Sequence, residues 1–249
     1  MVNDLNPILL SLGPFIIRWY GLLLAIGTLI SILLLRQLFK RENIHPDLAI
    51  NLGIQLTLAG LVGARIGHVI FYNLNFFLNH PWEILFINHG GLSSHGLALG
   101  IIATLVYFVK KNQLPWKQIA DLVIIPVPLL AAFIRLGNFF NSELIGRITN
   151  LPWGVHFIRA EYPALARHPS QIYESLLALL IFFIIYCFYQ KGWTRRPLFL
   201  TSLFLFLYFS TRFLVEFVKD FPLHWGFTTG QWLSLPFLCL AVIFWRIKK

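Results

Sequence analysis

The sequence predicts an all-α, polytopic membrane protein of about seven transmembrane helices with a small head segment on the outer side. Three observations predict it. Of its 249 residues 57% are hydrophobic and 12% charged, with a mean hydropathy of +0.72, more apolar surface than a soluble core of this length absorbs. The apolar residues fall into runs long enough for the roughly 20 helical residues a hydrocarbon core requires. Those runs are rich in leucine and isoleucine without strand-like alternation, and in lipid a helix satisfies its own backbone.

In chain order the predicted spans are 14–38, 47–72, 92–109, 118–140, 170–189, 198–218 and 230–244. Residues 1–13 hold no basic residue ahead of their apolar part, so no cleavable signal peptide is expected. The segment 141–168 is too long and too polar for a simple turn and reads as the head. No internal repeat and no linker marks a second membrane domain, so residues 1–249 read as one integral membrane domain. Cys187 and Cys239 lie inside apolar runs, far apart, and read as small buried residues.

The charges give the orientation. The net charge of +10 is not gathered into a nucleic-acid patch; it alternates between the flanks of the spans. One set carries Arg36, Lys40, Arg41, Lys110, Lys111, Lys117, Lys191, Arg195, Arg196, Arg246, Lys248 and Lys249, which is 12 of the 20 basic residues. The alternate set carries Arg147, Arg159, Arg167 and Lys219. The positive-inside rule then places the N-terminus outside and the C-terminus in the cytoplasm. Trp116, Trp193 and Trp245 fall at inner ends and Trp19, Trp82, Trp153 and Trp225 at outer ends, as interface anchors.

Four arginines, Arg18, Arg65, Arg135 and Arg212, remain inside the predicted spans, all in the outer half. An arginine at the centre of a membrane helix costs roughly 2.5–3.5 kcal/mol on insertion scales, so it usually faces a partner or a wet cavity. The alternative is an interfacial arginine snorkelling to lipid phosphates. The densest polar stretch runs from Arg135 through Asn138, Asn141 and Glu143 to Gly146 and Arg147. Tyr20, His95, His168, Gln171, Tyr173 and Glu174 are expected at the same depth, with Tyr208, Arg212 and Glu216 on one helical face at i, i+4, i+8. This points to a shared, partly hydrated cavity at outer headgroup depth, where the ligand for guanidinium is a phospholipid phosphate.

Several chemistries are missing. No H-E-x-x-H, acidic cluster or Cys/His set would hold a metal. No Walker loop or dinucleotide fingerprint calls for a nucleotide, and no cofactor is expected. Gly91-Leu92-Ser93-Ser94-His95 is a poor match to a serine nucleophile turn, because His95 stands where its second glycine belongs.

The motifs are specific. Arg135, Gly137, Asn138, Asn141, Glu143, Gly146 and Arg147 match a central Arg-x-Gly-Asn…Gly-Arg signature, and His168, Pro169, Ser170, Gln171, Tyr173 and Glu174 match His-Pro-Ser-Gln-x-Tyr-Glu. Gly90, Gly91, Ser93, His95 and Gly96 match a Gly-Gly-x-Ser-x-His-Gly segment, and Tyr208, Arg212, Phe213, Glu216 and Phe217 a late Tyr-x-x-x-Arg-Phe-x-x-Glu-Phe run. Arg18-Trp19-Tyr20-Gly21, Gly63-Ala64-Arg65, Leu151-Pro152-Trp153 and Gly230-Gln231 add to these. In this order, along nearly the whole chain, they resemble the bacterial prolipoprotein diacylglyceryl transferases.

The resemblance implies an enzyme of the bacterial inner membrane that moves the diacylglyceryl group of phosphatidylglycerol onto the lipobox cysteine thiol of a prolipoprotein. Glycerol phosphate is released, and the step opens lipoprotein maturation. The implied partners are phosphatidylglycerol, the lipobox peptide and membrane lipid, with no nucleic acid and no nucleotide. By similarity Arg135 and Arg212 hold the phosphate, and His95 is the candidate base, with a positioning or purely structural role as alternatives. The expected substrate-binding residues are Tyr20, Asn138, Glu143, Gly146, Tyr208, Arg65, Gln171 and Tyr173. Glu143 and Arg147 form either a structural ion pair or a substrate contact. Glu174 and Glu216 are expected to pair with arginines. His168 shapes the start of its helix, and His68, His80, His89 and His224 read as interface residues.

The sequence departs from the family pattern at Ser94, Leu97, Ser142, Ile145 and Phe209, all neighbours of the expected site. Two other classes use the same residues differently. A lipid-binding or lipid-moving protein would hold anionic lipid without releasing glycerol phosphate. An intramembrane hydrolase built on Ser93 or Ser94 with His95 would survive the loss of Arg135.

Overall fold

The structure, a computed structural model, describes residues 1–13, 15–86 and 90–247. Position 14 at the start of the first predicted span, His89, and Lys248 and Lys249 of the basic flanks lie outside the described residues.

The chain is mostly helical and forms two compact units, residues 1–31 with 120–249 and residues 32–119. The helices are α1 (Trp19–Arg41), α2 (Pro46–Tyr72), α3 (Leu74–Asn79), α4 (Ser94–Lys111), α5 (Trp116–Ile124), α6 (Val127–Phe140), α7 (Ser170–Gln190), α8 (Phe199–Val215) and α9 (Thr229–Trp245). Five helical stretches, 19–41, 46–72, 116–140, 170–190 and 199–218, are long and apolar enough to cross a membrane, so the chain is a multi-pass membrane protein. The other two predicted spans are the shorter helices α4, of 18 residues, and α9, of 17.

The mostly helical fold also carries short strands that the sequence does not announce. Among the described residues there are three small sheets: β1 (Val2–Asn3) with β4 (Val155–Phe157) and β5 (Ala166–Arg167); β2 (Ile8–Leu12) with β3 (Phe15–Arg18); and β6 (Leu223–His224) with β7 (Phe227–Thr228). The first predicted span begins too early. Gly13, at φ +58°, lets the chain turn back, and Phe15-Ile16-Ile17-Arg18 pairs antiparallel with 8–12. Two bulky β-branched isoleucines suit a strand better than a helix start. Arg18 is therefore an exposed strand residue, not part of a helix.

The predicted span 118–140 is two helices. Proline has no amide hydrogen to donate, and Pro126 and Pro128 interrupt the hydrogen-bond ladder between α5 and α6. Asp121 of α5, absent from the sequence reading, is fully buried there. Its Oδ1 accepts from the Thr201 amide at 2.8 Å and the Thr201 hydroxyl at 2.7 Å, so it caps the start of α8 from a neighbouring helix.

In the first unit α6 packs on α7, α7 on α8 and α8 on α9, around Ala132, Ala178, Ile181, Phe204, Leu205 and Ala241. In the second unit α2 packs on α4 through small residues. A methyl group at Gly63, Gly67 or Gly96 would fall within 3 Å of the facing backbone, so only glycine allows this approach. Leu58, Leu61, Val62 and Ile66 of α2 and Leu176, Leu180 and Phe183 of α7 stay exposed, as lipid-facing residues do.

Candidate active site

The first unit holds a narrow cleft, with a cavity volume of about 20 Å³, between α6, α7 and α8. Apolar side chains form most of its wall: Ala131, Leu177, Ala178, Ile181 and Val215. Five polar side chains line it, Arg135 from α6, Glu174 from α7 and Tyr208, Thr211 and Arg212 from α8. A mostly apolar cleft with a few convergent polar groups is the usual form of a small-molecule site.

The two arginines differ in their surroundings. Arg135 Nε lies 3.2 Å from Glu174 Oε2, within ion-pairing distance but out of line for a hydrogen bond. Its Nη1 donates to Asn138 Oδ1 at 3.4 Å. The guanidinium of half-buried Arg212 forms no ion pair and no hydrogen bond among the described residues. An unpaired guanidinium in a span is costly, and an anionic ligand relieves it.

A chain of side chains supports Arg135 on its head side. Asn138 Nδ2 donates to Glu143 Oε2 at 3.1 Å and Asn141 Nδ2 to Glu143 Oε1 at 3.1 Å. Gly137 brings Tyr20 against α6, since a methyl group at 137 would stand 2.7 Å from the Tyr20 ring. Tyr20 lies within electrostatic reach of both Glu143 and Arg135. Four predicted site residues, Tyr20, Arg135, Asn138 and Glu143, thus meet around one end of α6.

The far side holds a buried charge network that the sequence reading missed. Lys219, 3% exposed at its side chain, donates to Glu174 Oε1 at 2.8 Å and lies 3.3 Å from Glu216 Oε1. Glu216 Oε2 accepts from the Thr228 hydroxyl at 3.0 Å, and the Glu216 carboxylate fills the space where Gly230 has no side chain, in the first turn of α9. Thr228 and Gln231 form a reciprocal capping box there. Glu174 therefore pairs with an arginine as expected, whereas Glu216 pairs with a lysine. The expected face of Tyr208, Arg212 and Glu216 divides: the first two line the cleft, and Glu216 turns away into a 3-10 turn.

Other expected contacts lie within residues 141–173. The Glu143–Arg147 pair does not form: Arg147 Nε donates to the Lys219 carbonyl at 2.8 Å. Gly146 is pressed between His168 and the Val218 carbonyl, where a methyl group would clash with both. Gln171, fully buried, donates to the Glu143 carbonyl. The Tyr173 hydroxyl accepts from Trp153 Nε1 at 2.8 Å and shares a hydrogen with His168 Nδ1 at 3.2 Å. Gly146, Gln171 and Tyr173 are thus occupied in packing the segment 141–173. Arg167, bonded by Glu161 and Asp220, has its pKa raised, chiefly by the Glu161 hydrogen bond.

Arg65 and His95 belong to the second unit. Arg65 is 5% exposed, and its five N–H groups are directed at five backbone carbonyls, those of Glu83, Ile84, Phe86, Gly90 and Gly91. All five of its N–H groups are directed at that loop. His95 is exposed in the first turn of α4 and forms no hydrogen bond among the described residues. Ser93 is the N-cap of α4: its hydroxyl accepts from the Gly96 amide at 3.3 Å, and the side chain is buried. It is not presented as a nucleophile. No group of three or more His, Cys, Asp or Glu suited to a metal occurs among the described residues.

Comparison with known proteins bears on what such a cleft does. The profile of the family described as "Prolipoprotein diacylglyceryl transferase" matches residues 7–247. Three relatives named phosphatidylglycerol--prolipoprotein diacylglyceryl transferase are similar over almost the whole chain. The protein from Chloroherpeton thalassium is 40% identical, covering 99% of this chain and 94% of its own. That from Tolumonas auensis is 36% identical, covering 96% and 93%. That from Desulfotalea psychrophila is 38% identical, covering 98% and 94%.

Proposed function

The chain belongs to the prolipoprotein diacylglyceryl transferase family, and on that premise we propose that the cleft of Arg135 and Arg212 binds the phosphate of the lipid donor. The enzyme transfers the diacylglyceryl group of phosphatidylglycerol to a prolipoprotein, in lipoprotein maturation. The step is a displacement at an sp3 carbon. The lipobox cysteine thiolate forms a C–S bond, the carbon–oxygen bond to phosphate breaks, and glycerol phosphate leaves with the electron pair. The thiol proton passes to a base.

The observation that carries the reading is Arg212, a guanidinium with no anion of its own, lining the same cleft as Arg135. Two guanidiniums there bind the phosphodiester in the ground state and stabilise the charge that grows as it departs. Asn138 and Glu143 orient Arg135, and Tyr20 and Tyr208 position lipid oxygens. His95 is the candidate base, because a neutral imidazole accepts a thiol proton near neutral pH. Arg65 holds the loop around Gly90 and Gly91.

Seven spans, with α4 and α9 crossing alongside the five longer stretches, are what the alternation of basic flanks supports. The N-terminus is then periplasmic, the C-terminus cytoplasmic, and residues 141–168 form a periplasmic head in a single membrane domain. The cleft faces the outer leaflet of the inner membrane.

The experiment is release of glycerol phosphate by purified protein from phosphatidylglycerol and a lipobox peptide, with a Cys→Ser peptide and Arg212→Ala as controls. Release that requires both the thiol and Arg212 is expected. Release that persists in Arg212→Ala would remove the clamp from the mechanism.

A further inference from the structure

Glu174 presents a problem for any anion bound by Arg135. A carboxylate 3.2 Å from Nε competes with a phosphodiester for the same guanidinium. Lys219 is placed to limit that competition. Its ammonium holds the other oxygen of Glu174 at 2.8 Å while facing Glu216 at 3.3 Å, and all three side chains are largely buried. Coulombic attraction is strong at such sites, so Glu174 is drawn toward whichever cation is nearer and better aligned. The shorter and better aligned contact is the one with Lys219.

We propose that Lys219 is a positioning residue for the transfer, one that holds Glu174 at the Nε edge of Arg135 so that the terminal nitrogens meet the donor phosphate. Charge supports the same assignment. Arg135 and Lys219 balance the two carboxylates Glu174 and Glu216, so without Lys219 that quartet gains an excess negative charge and the phosphate meets a carboxylate no longer held back. The backbone of Lys219 is fixed independently: its carbonyl accepts from Arg147 Nε, and the residue pairs with Gly146 in an isolated bridge. The ammonium is therefore anchored against the head while it acts on the cleft.

This inference rests on the reading of Arg135 and Arg212 as the phosphate clamp. The test measures KM for phosphatidylglycerol, kcat and the thermal unfolding midpoint for Lys219→Met, Lys219→Arg and Lys219→Met/Glu174→Gln in the full chain. Lys219→Met is expected to raise KM for phosphatidylglycerol about tenfold with a smaller change in kcat, the pattern of lost ground-state binding. Lys219→Arg is expected to stay within about threefold of wild type, and the double variant, which removes the competing carboxylate together with its restraint, to have a KM several-fold below that of Lys219→Met. A Lys219→Met enzyme with unchanged KM, or a defect that neither Arg nor the second substitution relieves, would overturn the role. Where Lys219→Met alone does not fold, the double variant decides: a KM near wild type supports the role, and one raised about tenfold overturns it. Arg135→Ala and Arg212→Ala run beside these. Release that survives in both overturns the clamp and this role with it, whereas their loss of activity confines any failure to Lys219.

Discussion

Arg135 and Arg212 line the same cleft, yet of the two only Arg135 has an acidic partner among the described residues. A partnered guanidinium is held in place, and an unpartnered one is free to receive an anion. Arg212→Ala is therefore expected to lower kcat/KM by about 10²-fold or more, the scale for losing one preorganised donor to a developing oxyanion. Arg212→Lys, which keeps the charge but loses the fork, should fall between. Steady-state glycerol phosphate release measures both.

Gly137 leaves the space that the Tyr20 ring fills. Gly137→Ala puts a methyl group 2.7 Å from that ring, and overpacking of this kind costs about 1–3 kcal/mol. A lowered unfolding midpoint is expected. Gly137→Ala/Tyr20→Leu should recover stability without recovering full activity, which separates the packing of Tyr20 from its hydroxyl.

Asp121 caps α8 through Thr201. Asp121→Ala removes both acceptor contacts and is expected to cost about 1–2 kcal/mol, and Asp121→Asn, which keeps a carbonyl oxygen, less. Thermal unfolding in detergent would show the order wild type, Asn, Ala.

Glu161 makes the outer pairing pH-dependent. Hydrogen bonds from Arg167 at 2.7 and 2.6 Å hold its pKa below the ordinary 4.5. A depressed carboxylate pKa contributes stability above the unfolded value, and the contribution is lost as pH falls through the folded one. The stability gap between wild type and Glu161→Gln is therefore expected to be constant near neutral pH and to close below about pH 4.5. Unfolding midpoints at several pH values measure it.

Arg65 is expected to be intolerant of lysine. An ammonium supplies three donors where the guanidinium supplies five, so Arg65→Lys cannot reproduce all five hydrogen bonds to the carbonyls of Glu83, Ile84, Phe86, Gly90 and Gly91. Faster proteolysis of that loop, read by mass spectrometry, checks it.

Much of this was legible in the residues. Polar groups inside apolar runs cannot be accidental in lipid, so Arg135, Asn138, Glu143 and Arg212 stood out, and four of the motif residues do meet at one end of α6. What stayed hidden depends on direction and distance. Lys219 read as a flank charge because nothing local shows that it turns inward to Glu174 and Glu216. Asp121 was passed over because its partner Thr201 is far along the chain. Arg65 looked like Arg135 by position, and only the five carbonyls around it distinguish a clasp from a ligand. The strand Phe15–Arg18 carried the same apolar residues as a helix start, and its pairing with Ile8–Leu12 decides between them.

The order of synthesis gives the network around Lys219 a further meaning. Arg135 leaves the ribosome before Glu174, Glu174 before Glu216 and Lys219, and Thr228 last of all. The helix carrying Arg135 must therefore be handed to the lipid while its guanidinium is still without a counter-ion, a state of higher energy than the finished one. Glu174 on α7 brings the counter-charge to Arg135, Lys219 and Glu216 follow after α8, and the network closes only when Thr228, the N-cap of α9, donates to Glu216. A chain halted before Thr228 would contain both arginines of the cleft and still lack the last hydrogen bond of the network that reaches Arg135 through Glu174. Quality control that reads unpaired charge within the bilayer would therefore recognise such a nascent chain as unfinished.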